Sequence, residues 1–305
     1  MLKKINLDSI YAKFLSDETQ KSSEKVILRI AIASFLIHLS IICLVDSGLI
    51  KMENPSNFFQ NPIAAIYTPF SFILIYEVYL LIYYIPKSFT TYISKQYEII
   101  VLIIIRRLFK DLSSLSLSPD WFKIKYDLQF TYDLVASVLL FFLIFLFYKQ
   151  SKLRFLNNDY TLNQTENILS FIKVKKILAT ILVPVIFVLA IYSLTNWLLQ
   201  TYNSTTSAEV AFSNINNVFF EQFFTILIIV DVILLLFSFF HTDQFHKVIR
   251  NSGFIISTIL IRISFSVSGL LNTVLITSAI IFGLLILFIY NKFEKQITLE
   301  KIQKS

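Results

Sequence analysis

The 305-residue chain is poor in cysteine, glycine, proline and charged residues, and each shortage excludes some classes of protein. Cys43 is the single cysteine, so an internal disulfide or a cysteine-based metal site is excluded. The chain has only 4 glycines and 6 prolines, which argues against a glycine-rich filter and for long, continuous helices. Charged residues make up 15% of the sequence, whereas soluble domains average about 25%.

The sequence is correspondingly rich in apolar residues. They form 56% of the chain and include 31 phenylalanines and several runs long enough to cross a bilayer. The sequence therefore predicts an all-α, polytopic integral membrane protein with about eight transmembrane helices. The predicted spans are 26–45, 65–86, 92–114, 128–148, 177–199, 219–240, 251–268 and 270–290. A Ser268-Gly269 turn separates the last two.

The distribution of lysine and arginine predicts the orientation of these spans. With the N-terminus inside, 19 basic residues fall on the inner side and three on the outer side, as the positive-inside rule requires. Both termini are thus predicted to be cytoplasmic. The net charge of +7 reflects this topology and does not predict nucleic-acid binding. Abundant Ile, Lys and Asn fit a bacterial source, and hence the inner membrane.

Two pairs of stretches in the chain resemble each other, and the spacing within each pair is nearly the same. ILIYEVYLLIY (73–83) aligns with LIIVDVILLLF (227–237), which places Glu77 on Asp231. EIIVLIIIRRLF (98–109) aligns with FIISTILIRISF (254–265), which places Arg106 on Arg262. Each predicted half has four spans, an even number, so the two halves form a parallel repeat about an axis along the membrane normal.

This repeat divides the chain into five predicted segments. Residues 1–25 form a cytoplasmic N-terminal segment, 26–150 the first four-helix repeat, and 151–172 a polar cytoplasmic linker. Residues 173–292 form the second repeat, and 293–305 a cytoplasmic tail.

The aligned charges predict one acid–arginine pair in each half, Glu77 with Arg106 and Asp231 with Arg262. All four lie near the middle of their spans, and consecutive spans are usually neighbours. A lone charge at the bilayer centre costs at least about 3 kcal/mol, and pairing offsets much of that cost. Such pairs can fix the register of two helices, but intramembrane charges also mark ion, proton or substrate pathways.

Further polar residues surround the first pair. Arg107 and Lys110, with Asp127 or Asp133, are predicted to form a second, outer cluster. Tyr76, Tyr79 and Tyr83 share one helix face and either line a polar path or pack with hydrogen-bonded hydroxyls. His38, inside the first span, is a candidate proton carrier or metal ligand, but its counterpart in the second half is near Val188, so a packing role with a hydrogen bond is expected instead. Tyr92 and Tyr97 are interpreted as aromatic residues at the membrane interface.

The sequence contains no catalytic motif. We find no Ser-His-Asp set, phosphate-binding loop, GxGxxG or HExxH, so an enzyme is not expected and no cofactor or metal is predicted. His241 and His246 are expected to be interfacial residues.

The leading expectation is a channel or transporter for an ion or small charged solute, with Glu77, Arg106, Arg107, Asp231 and Arg262 as its polar core. The alternative is a membrane-embedded scaffold or sensor subunit. The expected surroundings are the lipid bilayer, with a second copy or a protein on the cytoplasmic face as the candidate partners.

Overall fold

The computed structural model describes residues 7–50, 59, 62–112, 125–157, 166–203, 208–241, 244–267 and 269–304. The described residues form helices joined by turns, with no strand among them. The helices are α1 (Leu7–Leu15), α2 (Asp17–Asp46), the short 3-10 helix η1 (Pro62–Ile66), α3 (Tyr67–Tyr84), α4 (Phe89–Leu112), α5 (Lys125–Asn157), α6 (Glu166–Asn203), α7 (Ala208–His241), α8 (Phe245–Ser264) and α9 (Leu270–Lys304).

Four stretches of described helix are long and apolar enough to cross a bilayer. They are Ser9–Asp46, Leu128–Lys152, Gln222–His241 and Leu270–Glu300. Large apolar side chains on these helices point outward: Val138 is 70% exposed, Phe141 72% and Phe240 82%. Such a surface is stable in lipid but sticky in water, so the chain is a membrane protein.

The predicted spans and the helices can be compared directly. Each of the eight spans overlaps a helix, while the number of helices that cross the membrane stays a prediction. The predicted turn is confirmed at Gly269, which has a φ of 79°, a backbone conformation that glycine adopts readily. Both ends of the predicted 151–172 linker are helical, because α5 continues to Asn157 and α6 begins at Glu166; residues 158–165 lie outside the described part.

The chain divides into two compact units. The first comprises Met1–Tyr83, Arg106–Ser118 and Lys176–Leu227, and the second comprises Tyr84–Ile105, Pro119–Lys175 and Ile228–Ser305. Each unit draws residues from both predicted repeats, so the units do not coincide with the repeats.

In the first unit, α2 and α3 run antiparallel and are joined by hydrogen bonds. Tyr83 near the end of α3 donates to Asp17 at the start of α2, and His38 near the end of α2 contacts Thr68 at the start of α3. Ser16 caps α2 by accepting a bond from the Thr19 backbone N–H, which satisfies one of the orphan donors at that helix end.

In the second unit, polar contacts set the order of the helices. Asn251 on α8 donates to Ser238 on α7 at 2.7 Å, and the Ser257 hydroxyl of α8 donates to the Ala279 carbonyl of α9 at 2.6 Å. Asn291 on α9 donates to the Gln150 carbonyl of α5 at 2.8 Å. Serine and asparagine bonds of this kind hold helices together where lipid supplies no hydrophobic driving force.

Candidate functional site

A buried ion pair joins α7 to α8. The Arg262 Nη2 atom lies 2.7 Å from Asp231 Oδ2, and the two side chains are 3% and 0% exposed. The antiparallel packing of these consecutive helices brings the two residues to the same depth. The predicted contact between Asp231 and Arg262 is therefore confirmed.

A third helix, α4, completes this cluster. The Tyr92 hydroxyl donates to Asp231 Oδ1 at 2.7 Å, and Arg262 Nη2 donates to Gln96 Oε1 at 2.9 Å. Thr258 lies at the limit of hydrogen-bond length, 3.5 Å from Asp231 Oδ2. Both carboxylate oxygens of Asp231 thus have partners, and these partners lie on two other helices, α4 and α8.

The prediction for the aromatic residues of α4 was wrong. Tyr92 and Tyr97 are 1% and 0% exposed, so they do not lie at an interface. Tyr97 forms a 2.7 Å hydrogen bond with Ser257 on α8, and Tyr92 holds Asp231. Each tyrosine lies beside a polar residue of a helix more than a hundred residues further along the chain, and no local sequence pattern signals such a contact.

Two donors in this cluster remain without a hydrogen-bond acceptor among the described residues. They are Arg262 Nη1 and Gln96 Nε2, both buried. Gln96 was not among the predicted site residues. Its neighbours Lys95 and Glu98 are charged, so the sequence does not signal that its amide is buried and needs a partner.

The first unit contains the other predicted pair, Glu77 and Arg106, whose charged atoms lie farther apart. Arg106 Nη1 lies 3.7 Å from Glu77 Oε2, and the side chains are 14% and 5% exposed. This distance permits Coulomb attraction but exceeds that of a hydrogen bond. Glu77 Oε2 accepts no hydrogen bond from the described residues. The predicted contact is present, yet a buried carboxylate oxygen keeps open hydrogen-bonding capacity.

The other residues that the sequence predicts to surround this pair differ in burial and in their contacts. Arg107 is partly buried, and the side chains of Lys110 and Asp127 lie outside the described residues. Asp133 is fully buried and accepts hydrogen bonds from Gln129 at 3.1 Å and from Thr273 of α9 at 3.3 Å. The outer cluster of Arg107, Lys110 and Asp133 stays a prediction.

The tyrosines of α3 serve helix packing. Tyr76 donates to Glu24 at 3.0 Å, and Tyr79 donates to the Phe14 carbonyl at 2.9 Å. Of the two interpretations of this tyrosine face, these contacts favour packing with hydrogen-bonded hydroxyls. His38 is 5% exposed and hydrogen-bonded to Thr68, as expected.

The histidines near the predicted inner side also have protein partners. His241 contacts Ser170 and the Phe237 carbonyl, and His246 lies 3.1 Å from Glu294. The described residues contain no group of three His, Cys, Asp or Glu side chains arranged to hold a metal ion.

The fold and these clusters define a helical membrane protein with charged pairs inside its helix packing. No protein-family model matches the chain, and neither the curated proteins nor the solved structures contain a significant match to it. The functional argument therefore rests on the geometry of the two pairs.

Proposed function

We propose that the protein is a multi-pass membrane channel or transporter for an ion or small charged solute. The observation that supports this proposal is the Glu77–Arg106 pair. Its two charges lie 3.7 Å apart, and Glu77 Oε2 has no hydrogen bond from the described residues. A buried carboxylate with such an open oxygen can bind a cation, a proton or a donor group of a solute while Arg106 limits its electrostatic cost.

The two pairs would then have different roles. Asp231 is held by Arg262 and Tyr92 at 2.7 Å each, so exchanging its partners would break several strong contacts. We assign Asp231 and Arg262 to the stable framework and Glu77 and Arg106 to solute binding. This assignment agrees with the denser charge of the first predicted half, where Arg107, Lys110 and Asp111 follow Arg106.

In this proposal the chain crosses the inner membrane eight times, as two parallel four-helix repeats with cytoplasmic termini. The aligned acids and arginines and the 19-to-3 distribution of basic residues support that arrangement.

A flux assay on protein reconstituted in liposomes tests the proposal. We expect the wild type to conduct or exchange at least one common inorganic ion or small charged solute. Glu77→Gln should lower that flux at least about tenfold, since it removes the charge that offsets Arg106. Glu300→Gln, at an exposed position on α9, is the matched control and should retain the flux. Equal, background flux for wild type and Glu77→Gln across the whole panel would contradict the proposal.

A scaffold or sensor subunit is the second candidate, and the saturated carboxylate of Asp231 favours it, because such a pair can serve register alone. The double substitution Glu77→Arg with Arg106→Glu separates the candidates. A scaffold should regain both abundance and activity with the swapped pair. A transporter should regain abundance but not flux, because the charges at the binding position are reversed.

A further inference from the structure

A surface groove runs along one face of α2 near its N-terminal end. Its volume is about 440 Å³. Residues four apart in a helix lie one above the other on the same face, so the described side chains that line the groove form two adjacent rows. These rows are Glu18, Ser22 and Val26, and Thr19, Ser23 and Ile27.

The lining of the groove changes from polar to apolar along the helix axis. The first four of its residues carry a carboxylate or a hydroxyl, and the last two are aliphatic. Val26 is 48% exposed, and Ile30, the next residue in its row, is 43% exposed. The change falls where the predicted span 26–45 begins. A phospholipid has the same order, with its headgroup at the interface and its acyl chains in the hydrocarbon core.

The polar end of the groove offers charges of both signs. Glu18 is exposed and makes no ion pair or hydrogen bond with the described residues. Lys25 lies three residues after Ser22, hence beside it on the helix surface, and is also exposed. The hydroxyls of Ser22 and Ser23 can donate hydrogen bonds. This set of groups complements a ligand that carries an ammonium group and a phosphate.

We propose that this groove binds a phospholipid whose headgroup carries a primary amine, as in phosphatidylethanolamine. The ammonium lies against Glu18, and the phosphate accepts hydrogen bonds from the hydroxyls of Ser22 and Ser23. An acyl chain follows Val26 and Ile30 into the membrane. The site is separate from the Glu77–Arg106 pair and does not depend on transport.

The amine distinguishes this lipid from two other common phospholipids. The choline headgroup has no N–H donor, and the glycerol headgroup has no cation, so its phosphate meets the charge of Glu18 uncompensated. Exposed ion pairs are weak, and one such pair changes an affinity about two- to fivefold. The groove therefore selects among lipids moderately, and its occupancy relies on the high concentration of lipid in the membrane.

Photocrosslinking of the full chain tests the site. The protein is placed in phosphatidylcholine nanodiscs that contain phosphatidylethanolamine with a diazirine in its acyl chain, and the labelled peptide is identified by mass spectrometry. We expect the label on α2 within 22–30. Unlabelled phosphatidylethanolamine should reduce this labelling about two- to fivefold more than phosphatidylglycerol at equal mole fraction. Equal competition by the two lipids, or labelling spread evenly over all the exposed apolar helices, overturns the proposal.

Matched variants locate the binding position. Glu18→Gln should lower the labelling of α2 about two- to fivefold, whereas Glu300→Gln, at an exposed position on α9, should keep it. Glu18 also lies in the first turn of α2, where its charge stabilises the helix end; that structural role would not change which lipid competes best. Labelling that keeps its preference for phosphatidylethanolamine in Glu18→Gln counts against the site.

Two further variants test what occupies the groove. Ser23→Leu places a larger apolar side chain in it and should abolish the labelling of α2; unchanged labelling overturns the proposal. A second copy of the chain is the competing occupant. A disulfide that joins two chains through Ser22→Cys, in a Cys43→Ser background, would show that copy in the groove and would also overturn the proposal.

Discussion

At the scale of single residues, the two carboxylates Asp231 and Glu77 differ in how completely they are held. Asp231 has close partners on both oxygens, whereas Glu77 Oε2 is 3.7 Å from its arginine. Asp231→Asn should therefore lower the free energy of unfolding by about 3–5 kcal/mol, because Arg262 would remain buried without its counter-charge. Glu77→Gln should cost less, about 1–2 kcal/mol, because the longer contact of 3.7 Å and the 14% exposure of Arg106 reduce the penalty of leaving that arginine without its counter-charge.

Circular dichroism of each variant in detergent, recorded as denaturant is added, measures this difference in the free energy of unfolding. Tyr92→Phe, which removes one hydroxyl from the Asp231 cluster, should also cost about 1–2 kcal/mol. Equal losses for Asp231→Asn and Glu77→Gln would contradict the division into a framework pair and a loose pair.

Lys175 should make stability depend on pH in alkaline solution. Burial lowers its pKa in the folded protein to about 7, from an ordinary value of 10.5, so between these values the unfolded chain binds a proton that the folded chain lacks. Raising the pH removes that proton and stabilises the fold. In phosphatidylcholine nanodiscs, the Tm should rise from about pH 7 to about pH 10, and the Lys175 amine should not affect it below pH 7. Lys175→Met should lack the rise; an identical slope in the variant would refute the assignment.

At the scale of helices, a close approach of α9 to α4 depends on Gly283. A Cβ atom at this position would overlap the Tyr97 hydroxyl and lie 3.1 Å from Ser257 Oγ. Gly283→Ala should therefore destabilise the protein by about 1–3 kcal/mol through overpacking. Ser278→Ala, on the exposed face of the same helix, should change stability by less than about 0.5 kcal/mol.

A double-substitution cycle identifies the cause of this loss. Tyr97→Phe removes the overlapping hydroxyl, so Gly283→Ala should cost less in that background than in the wild type. Additive effects would show that Tyr97 does not set the spacing of α4 and α9.

At the scale of the whole molecule, the predicted topology can be tested with single cysteines. Cys43 is the only native cysteine, so Cys43→Ser provides a clean background. A cysteine placed at Lys51, in a predicted outer loop, should react with a membrane-impermeant maleimide in intact cells. A cysteine at Ser88 or Lys152, both exposed and on the predicted inner side, should react only after lysis. Labelling at Ser88 in intact cells would reverse the inferred orientation.

Some parts of the fold and of the candidate site could be predicted from the sequence, and others could not. The helices follow from apolar runs of bilayer length, and the acid–arginine contacts follow from the cost of leaving either charge alone. Tyr92 and Gln96 were missed as partners because their role depends on α7 and α8, which lie more than a hundred residues away. The burial of Lys175 was missed because a lysine just before a membrane span ordinarily lies at the surface, where it determines the topology.

The Asp231 cluster also constrains how the protein is made. Tyr92 and Asp231 are 139 residues apart, and Gln96 and Arg262 are 166 apart. When α4 leaves the ribosome, neither of its partners has been synthesised, so the native contacts of Tyr92 and Gln96 form only after α7 and α8 have been made. A chain truncated before α7 therefore lacks both partners of α4 and cannot form this cluster.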